Sequence, residues 1–203
     1  MAQTETFLGK LTKQRDAIGL RKMSTDSMDW FRKKVSLLGK SAFQRVMSDA
    51  QATNKMLARS PGIGFMYTFA YFAKWDETLP YWDRFPLIFI IGSYEDGFLG
   101  LNLHYLPPKL RAILLDALMA FASNKSMPTK VKINATYQTL KGFSKFDLVK
   151  PCVKRYLFSQ LRSGIAKISS DEWEPAIFLP YESFVRSSNS GVWSDSIRGI
   201  RKK

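Results

Sequence analysis

The spacing of apolar positions along the chain changes twice, and the changes mark its organisation. Residues 1–27 are polar with no sustained period and predict a flexible arm or a short helix. Ser27 then stands as the cap of a helix from Met28 to about Leu38, stopped by Gly39. Met28, Phe31, Val35 and Leu38 recur at helical spacing, while Arg32, Lys33 and Lys34 project elsewhere. A second helix is predicted from Ser41 to about Ala58, and Ser60-Pro61-Gly62 stops it. The period then shortens to two. From Ile63 to Ala73 the chain is aromatic, with Phe65, Tyr67, Phe69 and Tyr71 on one face of a strand.

A polar-aromatic segment from Lys74 to Arg84 separates this strand from Phe85–Gly92, a turn, and Gly97–Leu106. In the last of these Leu99, Leu101, Leu103 and Tyr105 alternate onto one face, and Gly97 and Gly100 permit a bulge or bend. Pro107-Pro108 ends it and opens a helix whose Leu110, Ile113, Leu114, Ala117, Leu118 and Phe121 form an apolar stripe. Beyond Asn124 the pattern predicts a strand over Lys130–Tyr137, loop or turn over 143–150 and a helix over Pro151–Ser163. Ala176–Pro180 then reads as a strand returning to close the sheet, and the tail from Ser187 as a mobile segment.

These elements predict an α+β fold: a small, SH3-like, partly open antiparallel β-barrel. N-terminal helices precede it, a packing helix follows its third strand, and a basic C-terminal helix and tail end the chain. Strands that follow one another without helices between them argue against a doubly wound α/β fold. The chain divides into a basic helical arm (1–60), a barrel-like core with helical insertions (61–186) and a basic flexible tail (187–203).

Composition agrees with a folded chain, since 45% hydrophobic residues with 15 Phe, 8 Tyr and 5 Trp can build a core that a disordered segment lacks. Met1–Leu20 has no apolar core of a signal peptide, and no stretch reaches the roughly 18 apolar residues of a membrane span. The expectation is a soluble protein without a membrane partner. Cys152 is the single cysteine, so an intrachain disulfide is impossible.

Charge changes the picture most. The net charge is +14, and it is unevenly placed. Residues 1–60 carry 12 basic and 5 acidic side chains, residues 61–122 carry 4 and 6, and residues 123–203 carry 15 and 6. A near-neutral centre flanked by basic segments points to a polyanionic partner, either nucleic acid or an acidic protein surface. The alternative is a basic surface with no partner.

Candidate chemistry is sparse. His104 is the only histidine, which excludes sites built on paired imidazoles, and it alternates away from its strand's apolar face as a surface or loop-covered residue would. The carboxylates Asp76, Glu77, Asp83, Glu95 and Asp96 lie in loops without the spacing of a metal-dependent nuclease. No phosphate-binding glycine loop is present. The expectation is a non-enzyme with no cofactor, metal or small-molecule substrate. Basic residues carry more information. On a helix over 151–163, at about 100° per residue, Lys154, Arg155 and Arg162 share an arc with Phe158, a ring able to stack on an exposed base. Arg32, Lys33 and Lys34, and the terminal Arg198, Arg201, Lys202 and Lys203, are further phosphate-contact candidates. Trp75, Tyr81 and Trp82 are candidate anchors for a protein interface.

Four stretches together resemble a known family: SMDWFRKKV (Ser27–Val35), DETLPYWDRFPLIF (Asp76–Phe89), GFLGLNLHYLPPKLRAILLDAL (Gly97–Leu118) and PCVKRYLFSQLRSGIAKISSDEWEPAIFLP (Pro151–Pro180). In order and spacing they look like the DNA end protectors of T4-like myoviruses. The resemblance implies a virion protein, made in the cytoplasm of the bacterial host, that sits on the ends of packaged double-stranded DNA. There it blocks host exonuclease and assists head completion, among other head, neck or tail proteins. The family lends no binding residues to this chain. A structural subunit of the neck, tail or baseplate is the alternative.

Overall fold

The computed structural model describes residues 5–36, 38, 41–57, 60–122, 138–140, 142 and 149–201. Gly39, the strand expected over Lys130–Tyr137, most of 143–150, and Lys202 and Lys203 lie outside them. Helices α1 (Phe7–Ala17), α2 (Thr25–Val35) and α3 (Ser41–Ala52) come first. Strands β1 (Met56–Leu57), β2 (Met66–Thr68), β3 (Trp82–Asp83), β4 (Leu87–Tyr94) and β5 (Gly97–Asn102) follow. Helix α4 (Pro108–Ala122), strands β6 (Val153–Leu157) and β7 (Ile165–Ile168), helix α5 (Trp173–Phe178), strand β8 (Phe184–Val185) and helix α6 (Asn189–Arg201) complete the order.

The main sheet is antiparallel, in the order β1-β7-β2-β4-β5-β6, and β3 pairs with β8 in a separate ribbon. The sheet is open, because its edges β1 and β6 do not meet. Residues 176–178, expected in a closing strand, belong instead to α5. The signal for that helix was present: Ser169 and Glu172 form a capping box just before it, and Pro175 sits in its first turn.

Side chains alternate across the sheet and feed two cores. Met66, Leu87, Phe89, Leu101 and Ile168 face the helices, packing with Phe31, Leu114, Leu118, Trp173 and Phe178. Tyr67, Ile88, Ile90, Phe98, Tyr156 and Ile165 face the other way, into a cluster with Phe69, Tyr71 and Trp82. The alternation expected for Phe65, Tyr67, Phe69 and Tyr71 is found, although the paired strand spans only three residues of that run. Leu99, Leu101, Leu103 and Tyr105 likewise share the helical side, the last two from a 3₁₀ turn after β5.

The N-terminus takes the helical of its two expected forms, while several later boundaries and elements differ from expectation. The polar N-terminus is a helix that contributes Leu8 and Leu11 to the core, capped by the Thr6 hydroxyl accepting the Gly9 N–H at 3.0 Å. Helix α2 starts earlier than expected, because Ser24 is the cap and accepts the Ser27 N–H at 3.1 Å. Helix α3 stops at Ala52, where Asn54 takes the left-handed conformation (φ 54°). On α4 the buried side is rotated: Arg111, Leu114, Leu115 and Leu118 point inward, and Ile113 is 67% exposed.

The helix expected over Pro151–Ser163 is a 3₁₀ turn, strand β6, and a second 3₁₀ turn at Phe158–Gln160. Val153–Leu157 pairs with Gly97–Leu101 of β5. A Cβ on Gly97 would collide with the Tyr156 carbonyl, and one on Gly100 would stand 2.8 Å from Ile88 Cδ1. The two glycines therefore serve close strand approach, while the bulge lies opposite, between Ile90 and Gly92. The segment expected as a mobile tail is helix α6, with Val192 and Ser196 buried and Trp193 Nε1 donating to the His104 carbonyl at 2.8 Å.

Candidate nucleic-acid interface

Where β4 turns into β5, the chain exposes aromatic rings that carry cations on their faces. Tyr94, 51% exposed, lies under the Arg155 guanidinium at 3.9 Å from its ring centroid. Arg155 also pairs with Asp96 in the same turn, and the Asp96 carbonyl accepts the Phe158 N–H at 2.9 Å. Two residues on, Gln160 accepts the Phe72 N–H at 3.1 Å, and Arg162 lies over the Phe72 ring at 5.5 Å. Phe72 is 42% exposed and meets Trp82 edge-on at 5.2 Å. Lys74 stands 5.1 Å over Trp75, which at 64% is among the most exposed large rings described. Unbroken backbone and side-chain contacts thus link Tyr94, Arg155, Phe158, Phe72 and Arg162 into one rim.

Local structure explains the rim. Phe158 sits in the 3₁₀ turn and leans on Phe98 at 5.6 Å, half-buried against the sheet. Residues 69–72 leave the ladder after β2 and meet 160–162 through the Tyr71–Leu161 bridge and the Arg162 N–H to the Ala70 carbonyl at 2.9 Å. The loop carrying Phe72, Lys74 and Trp75 is pinned at its far end by Asp83. That buried carboxylate accepts from Asn102 at 3.1 Å and from the Phe85 N–H at 3.1 Å, and lies 2.7 Å from His104 Nδ1. Asn102 also donates to the Tyr156 hydroxyl at 3.0 Å, joining the loop to the sheet's second core.

His104 is completely buried, not a surface residue. Its Nε2 has no hydrogen-bond partner among the described residues, so the Asp83–His104 pair lacks the third member that a nucleophilic triad requires. Burial pushes the Cys152 thiol up to about 12, outweighing nearby Lys154 and Arg111, which leaves the sulfur un-ionised at neutral pH. Among the described residues no three His, Cys, Asp or Glu gather as metal ligands.

The basic candidates separate by environment. Arg155 and Arg162 lie exposed on the rim with Phe158 between them. Lys154 is half-buried, its ammonium 4.2 Å over the Tyr105 ring, and burial lowers its pKa. Arg32 sits 3.8 Å from Glu182, and burial lowers its pKa although Glu182 pulls the other way. Lys33 and Lys34 are exposed on α2, away from the rim's contacts. Arg198 is exposed on α6, 3.6 Å from Asp195, and Arg201 ends the same helix. Of the aromatic trio, Trp75 is exposed, Tyr81 packs 6.0 Å from Tyr105, and Trp82 is buried. Sequence reasoning missed Tyr94 and Phe72. Tyr94 stood in the hairpin turn, where an aromatic has little to bury against; Phe72 broke the alternation of the apolar run.

The family model described as Phage T4 terminal DNA protecting protein matches residues 13–196. The chain belongs to that family. The match runs from within α1 to within α6 and so includes both layers of the fold and every residue of the rim. No curated protein and no solved structure matches the chain. Among the described residues no helix is long and apolar enough to cross a membrane.

Proposed function

We propose that this protein binds the ends of packaged double-stranded DNA and shields them from exonuclease, with the aromatic-cationic rim meeting the duplex end. In this reading it is a non-enzymatic virion protein that assists head completion. The observation that carries it is the pairing of Arg155 with Tyr94 and Arg162 with Phe72 on exposed surface. A terminal base pair presents a bare π-face next to closely spaced phosphates. Stacking on a ring contributes about 1–3 kcal/mol per base, and each neutralised phosphate releases counterions. Exposed ion pairs such as Arg155–Asp96 are weak and exchange readily for phosphate. Nothing on the rim resembles a reading helix, so binding is independent of sequence.

The test compares a short blunt linear duplex with a covalently closed circle of the same sequence. The expected result is salt-sensitive binding that favours the linear form, with protection of that form from an exonuclease. Equal affinity for circle and line ends the claim of end recognition, and no binding at low salt ends the nucleic-acid reading altogether. The alternative of a neck, tail or baseplate subunit is favoured by the exposure of Trp75. It predicts that Trp75→Ala abolishes incorporation into particles while duplex binding stays unchanged.

A further inference from the structure

Away from the rim's elements, a cleft of about 460 Å³ separates the loop before α2 from helix α4. We infer that this cleft is a second, independent binding site for the phosphates of a nucleic-acid backbone. Arg21, Lys22 and Lys109 line it, against one carboxylate among the described residues, that of Asp116. All three cations are exposed, and none makes an ion pair or ring contact among the described residues. They differ in this from Arg15 on the neighbouring helix, which is wholly buried against Glu174. The hydroxyl-bearing Thr25 lies on the same wall.

The cleft is built, not incidental. Its loop is tied to the core because the Met23 N–H donates to Glu174 Oε1 at 2.7 Å while Arg15 holds Oε2 at 2.8 Å. Met23 keeps a left-handed backbone (φ 59°), a conformation that persists in a non-glycine residue only where the surroundings enforce it. Lys109, in the first turn of α4, faces this fixed wall. Ile113, 67% exposed, lines the cleft beside it.

The cleft walls pack through Met28 and Leu114 into the core under the helices, while Phe158 belongs to the core on the other face. Cleft and rim share no element: the cleft lies between α2 and α4, and the rim runs along the β4–β5 turn, β6 and the segments that follow β2 and β6, so each can be filled separately. A chain that uses both holds two DNA segments. The inference rests on the duplex-binding reading for the identity of its ligand, not for the existence of the site.

The experiment titrates the full chain with a short blunt duplex at low salt and reads stoichiometry by calorimetry. Two duplexes per chain are expected. Replacing Arg21, Lys22 and Lys109 together by Ala should leave one, with exonuclease protection intact; replacing Arg155 and Arg162 should leave the cleft event and abolish protection. Asp116→Asn should tighten the cleft event several-fold, a gain that misfolding cannot imitate. A single duplex per chain, unaltered by the triple variant, overturns the inference. So does a cleft that takes inorganic pyrophosphate while the triple variant leaves duplex binding untouched, because the ligand would then be a free phosphate. A variant lacking Arg155 and Arg162 that still protects ends would instead defeat the rim reading and leave the cleft standing.

Discussion

The cations beneath the helices and the cations on the rim differ in burial and in the partners that hold them. Under the helices, Arg15 meets Glu174 at 2.8 Å, Arg111 meets Glu182 at 3.2 Å, and Lys55 meets Glu172 at 3.1 Å. On the rim and on β7, Arg155, Arg162, Lys74 and Lys167 lie over Tyr94, Phe72, Trp75 and Phe65. The difference follows from burial. A cation removed from water needs a counter-charge and satisfied hydrogen bonds; Arg111 accordingly also donates to the Leu106 carbonyl at 2.7 Å. An exposed cation needs neither, and an aromatic face holds it through about 0.5–1 kcal/mol of quadrupole attraction without cancelling its charge. Cations in buried carboxylate pairs therefore hold the fold together, and exposed ring-held cations, Arg155 with its exposed Asp96 included, remain open to a polyanion.

The sharpest way to break this comparison is to remove a buried counter-charge. Glu174→Ala leaves Arg15 with only the half-exposed Asp16 as counter-charge and frees the Met23 and Ser27 donors, and should cost about 3 kcal/mol in urea unfolding. Arg162→Ala should stay within about 0.5 kcal/mol of the parent. Equal costs would erase the distinction between the two populations. Next in size is the rim's own function: Phe72→Ala or Tyr94→Ala should weaken duplex-end binding by about 1–3 kcal/mol in a titration. Each of Arg155→Ala and Arg162→Ala should lower the slope of log affinity against log salt by about 0.9.

Acid offers a subtler probe of the buried set. Burial alone would raise the pKa of Glu182, but Arg111, with His104 and Arg32, outweighs it and holds the carboxyl below its ordinary 4.5. A depressed carboxyl contributes stability that is complete above that ordinary value and is lost as pH falls through the folded one. The stability gap between the parent and Glu182→Gln should therefore narrow below pH 4.5. A constant gap would mean that charge plays no part there. Arg198→Ala, which removes an exposed pair at i,i+3, should change stability by less than about 0.5 kcal/mol.

How legible the fold was depended on whether a pattern had one physical reading. The run from Phe65 to Tyr71 alternated cleanly, and its rings do share a core. Val153, Tyr156 and Leu157 satisfy helical spacing and strand burial alike, so spacing could not choose. The β5 edge chose, with Gly97 and Gly100 leaving room for a neighbour. The capping box at Ser169–Glu172 was a readable helix signal that the apolar run Ala176–Pro180 obscured. Of the rim, Arg155, Phe158 and Arg162 were singled out together with Lys154 as one arc of a helix, which β6 and a 3₁₀ turn replace. Tyr94 and Phe72 were not, since a ring in a turn shows no partner until the chain folds.

Taken alone, the sequence established a mixed helical and antiparallel chain, a large aromatic core, a strongly basic balance and membership suggested by four quoted stretches. Those properties are local or additive: spacing, composition and summed charge need no coordinates. Which cations remain available was decided only in three dimensions. A lysine or arginine reads the same in sequence whether it ends over tyrosine in water or against glutamate in the core, because desolvation and counter-charge come from residues 60 to 160 positions away.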